Sequence, residues 1–119
     1  MDFPRTAFVI SALVGFLAVA FGAFGAHALK DVLVANGTRE IWEKAALYHL
    51  VHAVVLLLLA SRPSLAVLSW WLFLFGIVIF SGSLYLLAVT NTRWLGAITP
   101  IGGICLLGGW LLLAVQALR

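Results

Sequence analysis

The sequence predicts an all-α protein: an integral membrane four-helix bundle of antiparallel up-down topology, with one amphipathic loop between helices one and two. Three observations carry that expectation. The 119 residues are 65% hydrophobic and only 9% charged, whereas a soluble domain keeps roughly a quarter of its residues charged. The mean hydropathy is +1.19, so most of the surface needs lipid around it. The apolar residues also fall into four long runs separated by short polar breaks, each close to the about 20 residues a helix needs to cross a hydrocarbon core about 30 Å thick. The whole chain, 1–119, reads as a single transmembrane domain.

The first span is placed at 7–29. Arg5 ahead of an apolar run imitates a secretory leader, but the run from Ala7 to Leu29 exceeds the roughly 7–15 apolar residues of a leader core, so it is read as a retained helix. The loop that follows, Lys30 to Lys44, holds Asn36-Gly37, a turn signal. Thr38 is a residue type favoured at a helix N-cap, and Trp42 stands where an interfacial anchor belongs, so the second span is placed at 39–61. Arg62-Pro63-Ser64 and Asn91-Thr92-Arg93 bound the third, at 65–89. The fourth is placed at 95–118, with its start open between two readings. Thr99 and Pro100 suit an N-cap and a first helical position; the alternative is a Pro kink in a longer helix beginning near Trp94.

Four spans put both ends of the chain on one side, with Arg5, Arg62 and Arg119. The other side carries Lys30, Arg39, Lys44 and Arg93. Three against four gives no orientation under a rule that counts only Lys and Arg. These cations are scattered singly and form no basic stripe, so nucleic acid is not an expected partner. Cys105 is the only cysteine, which excludes an internal disulfide.

Threading the spans places His27, Tyr48, His49, His52, Ser81, Ser83, Tyr85, Thr99 and Pro100 toward the side of the Lys30–Lys44 loop, and leaves the opposite half nearly pure Leu, Val, Ile and Phe. At about 100° per residue, Tyr48, His49 and His52 share one sector of the second helix, and Ser81, Tyr85 and Ala88 share one face of the third. Ionisable side chains within a span face the bundle or a water-filled cavity, because facing lipid costs several kcal/mol. The candidate polar pocket is therefore Tyr48, His49, His52, Ser81, Tyr85 and Thr99, with His27 as an additional member. Small residues at i, i+4 and i+7 spacing suit close helix approach; Gly15, Gly22, Gly102 and Gly109 are the expected packing positions.

The segments GAFGAHALK (22–30), YHLVHA (48–53), FSGSLYLLA (80–88), ITPIGG (98–103) and GW (109–110) resemble the small membrane family catalogued as domain of unknown function 423. The resemblance covers nearly the whole chain. It implies a compact multi-pass protein, chiefly of bacterial cytoplasmic membranes, with no established enzymatic activity and no catalytic residues to carry over.

Function is read from the residues themselves. The leading expectation is a structural, assembly or membrane-stabilising role, in which the polar side chains bond helix to helix. The alternative is a ligand- or proton-sensing protein with a polar pocket near the side of the 30–44 loop. Two imidazoles at i and i+3 without an anionic ligand make a poor zinc site, so no metal and no other cofactor is expected. There is no serine–histidine–acid set, paired intramembrane carboxylates or phosphate loop to suggest an enzyme. Expected partners are membrane lipids and a homo-oligomer or another membrane protein.

Overall fold

The computed structural model describes residues 2–119. Five α-helices and one 3₁₀ turn follow in order: α1 (Phe3–Ala26), α2 (Lys30–Asn36), α3 (Arg39–Ser61), α4 (Val67–Thr90), the turn Arg93–Ala97, and α5 (Thr99–Ala117). Four of them, counting the turn with α5, are long and apolar enough to cross a membrane. In a helix every backbone polar group finds its partner within the segment, as hydrocarbon requires.

Local chemistry sets the ends. The Asp2 carboxylate accepts from the Arg5 N–H at 3.0 Å and Pro4 occupies the first turn, so α1 starts four residues ahead of its expected position. The expected amphipathic loop contains a short helix, α2, closed by Gly37 at φ +67°, a left-handed conformation that glycine adopts without strain. Thr38 lies at the start of α3 as expected, but its hydroxyl does not cap that helix. It donates instead to the Ala88 carbonyl at 2.6 Å, while the Asn36 amide donates to Ala88 and Val89 at 3.0 and 3.1 Å. The loop thus satisfies the last carbonyls of α4, which have no partner within their own helix.

The two readings of the fourth span's start resolve into an intermediate. A 3₁₀ turn at Arg93–Ala97 leads into an α-helix whose first residue is Thr99. Thr99 does not serve as its N-cap; its hydroxyl pairs with that of Ser83 at 2.6 Å.

The long helices pack in the order α1–α3–α4–α5, and the backbones of α1 and α5 never come close. The central pair is the more buried: 39% and 44% of the residues in the apolar windows of α3 and α4 are buried, against 17% for α1 and for α5 with its preceding turn. Two apolar clusters fill the interior, one around Leu56, Trp70, Phe73 and Leu106, the other around Leu33, Trp42, Tyr85 and Ala88.

Glycine placement departs from expectation at one position. A Cβ on Gly102 would collide with the Phe80 backbone, and one on Gly109 would lie 2.8 Å from the Phe73 ring, so both let α5 lie close on α4. Gly15 is in ordinary contact with Ala53. Gly22 meets nothing within 4 Å; the tight approach of α1 to α3 falls at Gly25, where the Trp42 ring occupies the space a side chain would need. Trp42 is accordingly no interfacial anchor. It is 6% exposed, and its indole donates to the Phe21 carbonyl at 2.8 Å.

Candidate functional site

The polar interior is built mainly on α3, which packs directly on α1 and α4 and meets α5 through side chains. Its α1-facing side presents His49, its α5-facing side His52, and both are buried. Since α3 runs from Arg39 to Ser61, Leu50 is its centre and the two imidazoles straddle the midpoint of the span. They lie deeper than a position beside the loop would place them.

His49 joins three helices. Its Nε2 lies 2.9 Å from the Val14 carbonyl of α1 and its Nδ1 lies 2.9 Å from the Tyr85 hydroxyl of α4. A carbonyl can only accept, so Nε2 carries the proton; Nδ1 then accepts and Tyr85 donates. The ring of Tyr85 is held edge-on to Phe21, with centroids 5.0 Å apart, and rests against Trp42 at 4.6 Å. One turn before His49, the Ala45 carbonyl accepts from the Ser81 hydroxyl at 2.8 Å, a second link between α3 and α4.

His52 takes the opposite tautomer. Its Nδ1 faces the Tyr48 carbonyl at 2.8 Å and must donate, leaving Nε2 to accept from the Trp110 indole of α5 at 3.0 Å. In its neutral form each imidazole has one nitrogen donating and one accepting.

The six candidate residues therefore do not line one cavity. His49 and Tyr85 form a sealed interior pair, Ser81 bonds separately to the Ala45 carbonyl, and Tyr48, His52 and Thr99, the last also paired with Ser83, line an open groove between α3 and α5. Tyr48 is 41% exposed, stacked on Phe80 with ring centroids 4.8 Å apart. His27 is an exposed residue at the end of α1 and joins none of these groups. The half expected to be nearly pure Leu, Val, Ile and Phe holds a polar link of its own: the Trp70 indole donates to the Ser11 hydroxyl at 3.0 Å. Trp110 and Lys44, neither singled out as a site residue from sequence, complete the groove. Their i+4 and i+8 relation to Tyr48 and His52 (for Lys44) and the bulky ring at a glycine-rich helix (for Trp110) were the available signals.

Comparison with known proteins agrees with this picture of a membrane bundle. The family model described as "Protein of unknown function (DUF423)" matches residues 21–103. A Staphylococcus epidermidis protein named UPF0382 membrane protein is 48% identical over 116 residues, covering 93% of this chain and 93% of its own. The Bacillus subtilis UPF0382 membrane protein YwdK is 38% identical, covering 93% of this chain and 94% of its own. The Escherichia coli K12 UPF0382 inner membrane protein YgdD is 38% identical, covering 97% and 91%. No solved structure matches the chain.

Proposed function

Because the chain belongs to the DUF423 family of membrane proteins of unknown function, and so takes no activity from its relatives, we propose from its own groups that it is a structural or assembly protein of the cytoplasmic membrane. One observation carries the reading: apart from Ser69, the buried polar side chains bond to one another or to backbone carbonyls, and several of these bonds join one helix to the next. His49 ties α3 to α1 and α4, His52 ties α3 to α5, Ser81 ties α4 to α3, and Trp70 ties α4 to α1. Such bonds contribute about 0.6–1.7 kcal/mol each in a helix bundle. A sensor or catalyst needs a polar group left free to meet its ligand, and in the sealed network around His49 both ring nitrogens are occupied.

The test is His49→Phe and His52→Phe in purified protein, followed by unfolding in mixed micelles of increasing SDS fraction. Both variants should unfold at a lower SDS fraction than the parent. An unchanged midpoint, together with loss of a response to pH or to an added small molecule, would favour the sensing alternative. Crosslinking in the native membrane should trap a defined oligomer or a membrane-protein partner.

A further inference from the structure

The groove between α3 and α5 has a composition that the interior network does not explain. Lys44, Tyr48 and His52 stand at i, i+4 and i+8 on α3, forming one wall. Thr99, Gly103, Leu107 and Trp110 of α5 form the other, with Phe80 and Leu84 of α4 as the floor. Two adjoining hollows of about 400 and 330 Å³ meet at Tyr48 and Phe80, which line both, one reaching from there to Lys44 and the other to Trp110. At Gly103 a Cβ would be in ordinary contact with the Phe80 ring, 3.9 Å away.

We propose that this groove seats one anionic phospholipid, its phosphate at Lys44 and the Tyr48 hydroxyl and one acyl chain running down to Trp110. Charge argues for the headgroup. Lys44 is exposed, and the only ion pair among the described residues is Arg39–Glu43, so Lys44 has no carboxylate partner, not even Glu40 one turn before it. The Tyr48 hydroxyl likewise makes no hydrogen bond among the described residues, while its ring is fixed on Phe80. A basic residue near an anionic membrane surface contributes about 1 kcal/mol of attraction. Length argues for the chain. The eight residues from Lys44 to His52 rise about 12 Å, and the eleven from Thr99 to Trp110 about 16 Å. A single leaflet of hydrocarbon is about 15 Å deep. Below its cationic mouth the groove is walled by aromatic and aliphatic side chains, among them Leu107 at 69% exposed, and it opens sideways where acyl chains lie. A lipid already in the bilayer can enter the groove from the side.

Native mass spectrometry of the full chain, released from vesicles of equimolar phosphatidylglycerol and phosphatidylcholine, tests this. One phosphatidylglycerol should be retained in about fivefold preference, the factor that one basic residue supplies. Lys44→Gln alters an exposed side chain that makes no hydrogen bond, so folding is undisturbed, and the preference should fall to about one. Leu107→Trp, on the exposed wall, narrows the lower groove and should reduce retention of both lipids. Equal retention of the two lipids by the parent protein, or a preference that survives Lys44→Gln, overturns the proposal. Unchanged retention in Leu107→Trp removes the acyl chain from the groove and overturns it too.

Discussion

At Tyr85 a single oxygen decides whether a buried imidazole is satisfied. Tyr85→Phe keeps the ring packed on Phe21 and Trp42 but deletes the donor to His49 Nδ1. The buried nitrogen is then left without a partner, and the full desolvation cost of such a group, about 1–3 kcal/mol, applies. SDS unfolding should show a loss in that range, and adding His49→Phe to Tyr85→Phe should cost less than the two single losses combined, since both delete the same bond. Ser69 is the counter-case. Its hydroxyl is buried with no hydrogen-bond partner, so Ser69→Ala should leave the unfolding midpoint unchanged or raise it. The residue types of the polar interior were legible in the sequence because an imidazole or phenol within an apolar run has to face inward. Their grouping was not. Residues at i and i+3 differ by about 60° around a helix, and on a central helix with neighbours on several sides that rotation is enough to send His49 to α1 and α4 and His52 to α5. A helical wheel gives the angle but not the number of neighbours.

Among the helices, glycine and cap positions show how far a face differs from a contact. Gly22 and Gly25 both border a crevice of about 180 Å³, yet nothing lies within 4 Å of a Cβ at Gly22 while Gly25 abuts the Trp42 indole. Gly25→Ala forces that ring to move, and overpacking of this kind costs about 1–3 kcal/mol; Gly22→Ala meets open space and should be neutral or mildly stabilising, because Ala is the better helix former. Equal SDS midpoints for the two variants would contradict this assignment of the contact. The spans themselves were almost fully legible. The second was placed at its observed bounds, and the third within two residues at each end. The first and last shifted for reasons beyond hydropathy: Asp2 and Pro4 extend α1, and the 3₁₀ geometry of Arg93–Ala97 delays α5 to Thr99. Thr38 misled because its residue type predicts a local cap, whereas a carbonyl fifty positions away in sequence takes its hydroxyl.

Over the whole molecule, the packing order makes the bundle unequal in strength. It measures 49 × 26 × 20 Å along its principal axes, with α3 and α4 at the centre and α1 and α5 on opposite flanks, each turning most of its surface to lipid. The outer faces carry residues such as Phe16 on α1 and Ile104 on α5, both 69% exposed, and in lipid these gain nothing from burial, because acyl chains are as apolar as they are. What holds each flanking helix is therefore its one contact face plus a few polar links: the Val14 and Phe21 carbonyls and Ser11 for α1, Trp110 and Thr99 for α5. The α3–α4 contact lies between the flanks and is reached only after one of them leaves. Thiol labelling across an SDS series should display that order. The native Cys105 reports on α5, Ser11→Cys on α1, and Ser81→Cys on the central contact, the last two in a Cys105→Ser background. Cys105 and the thiol at position 11 should become reactive at lower SDS fractions than the thiol at position 81. Simultaneous exposure at all three positions would mean that the four spans unfold as one cooperative unit, and that the polar links distribute strength evenly rather than concentrating it in the central pair.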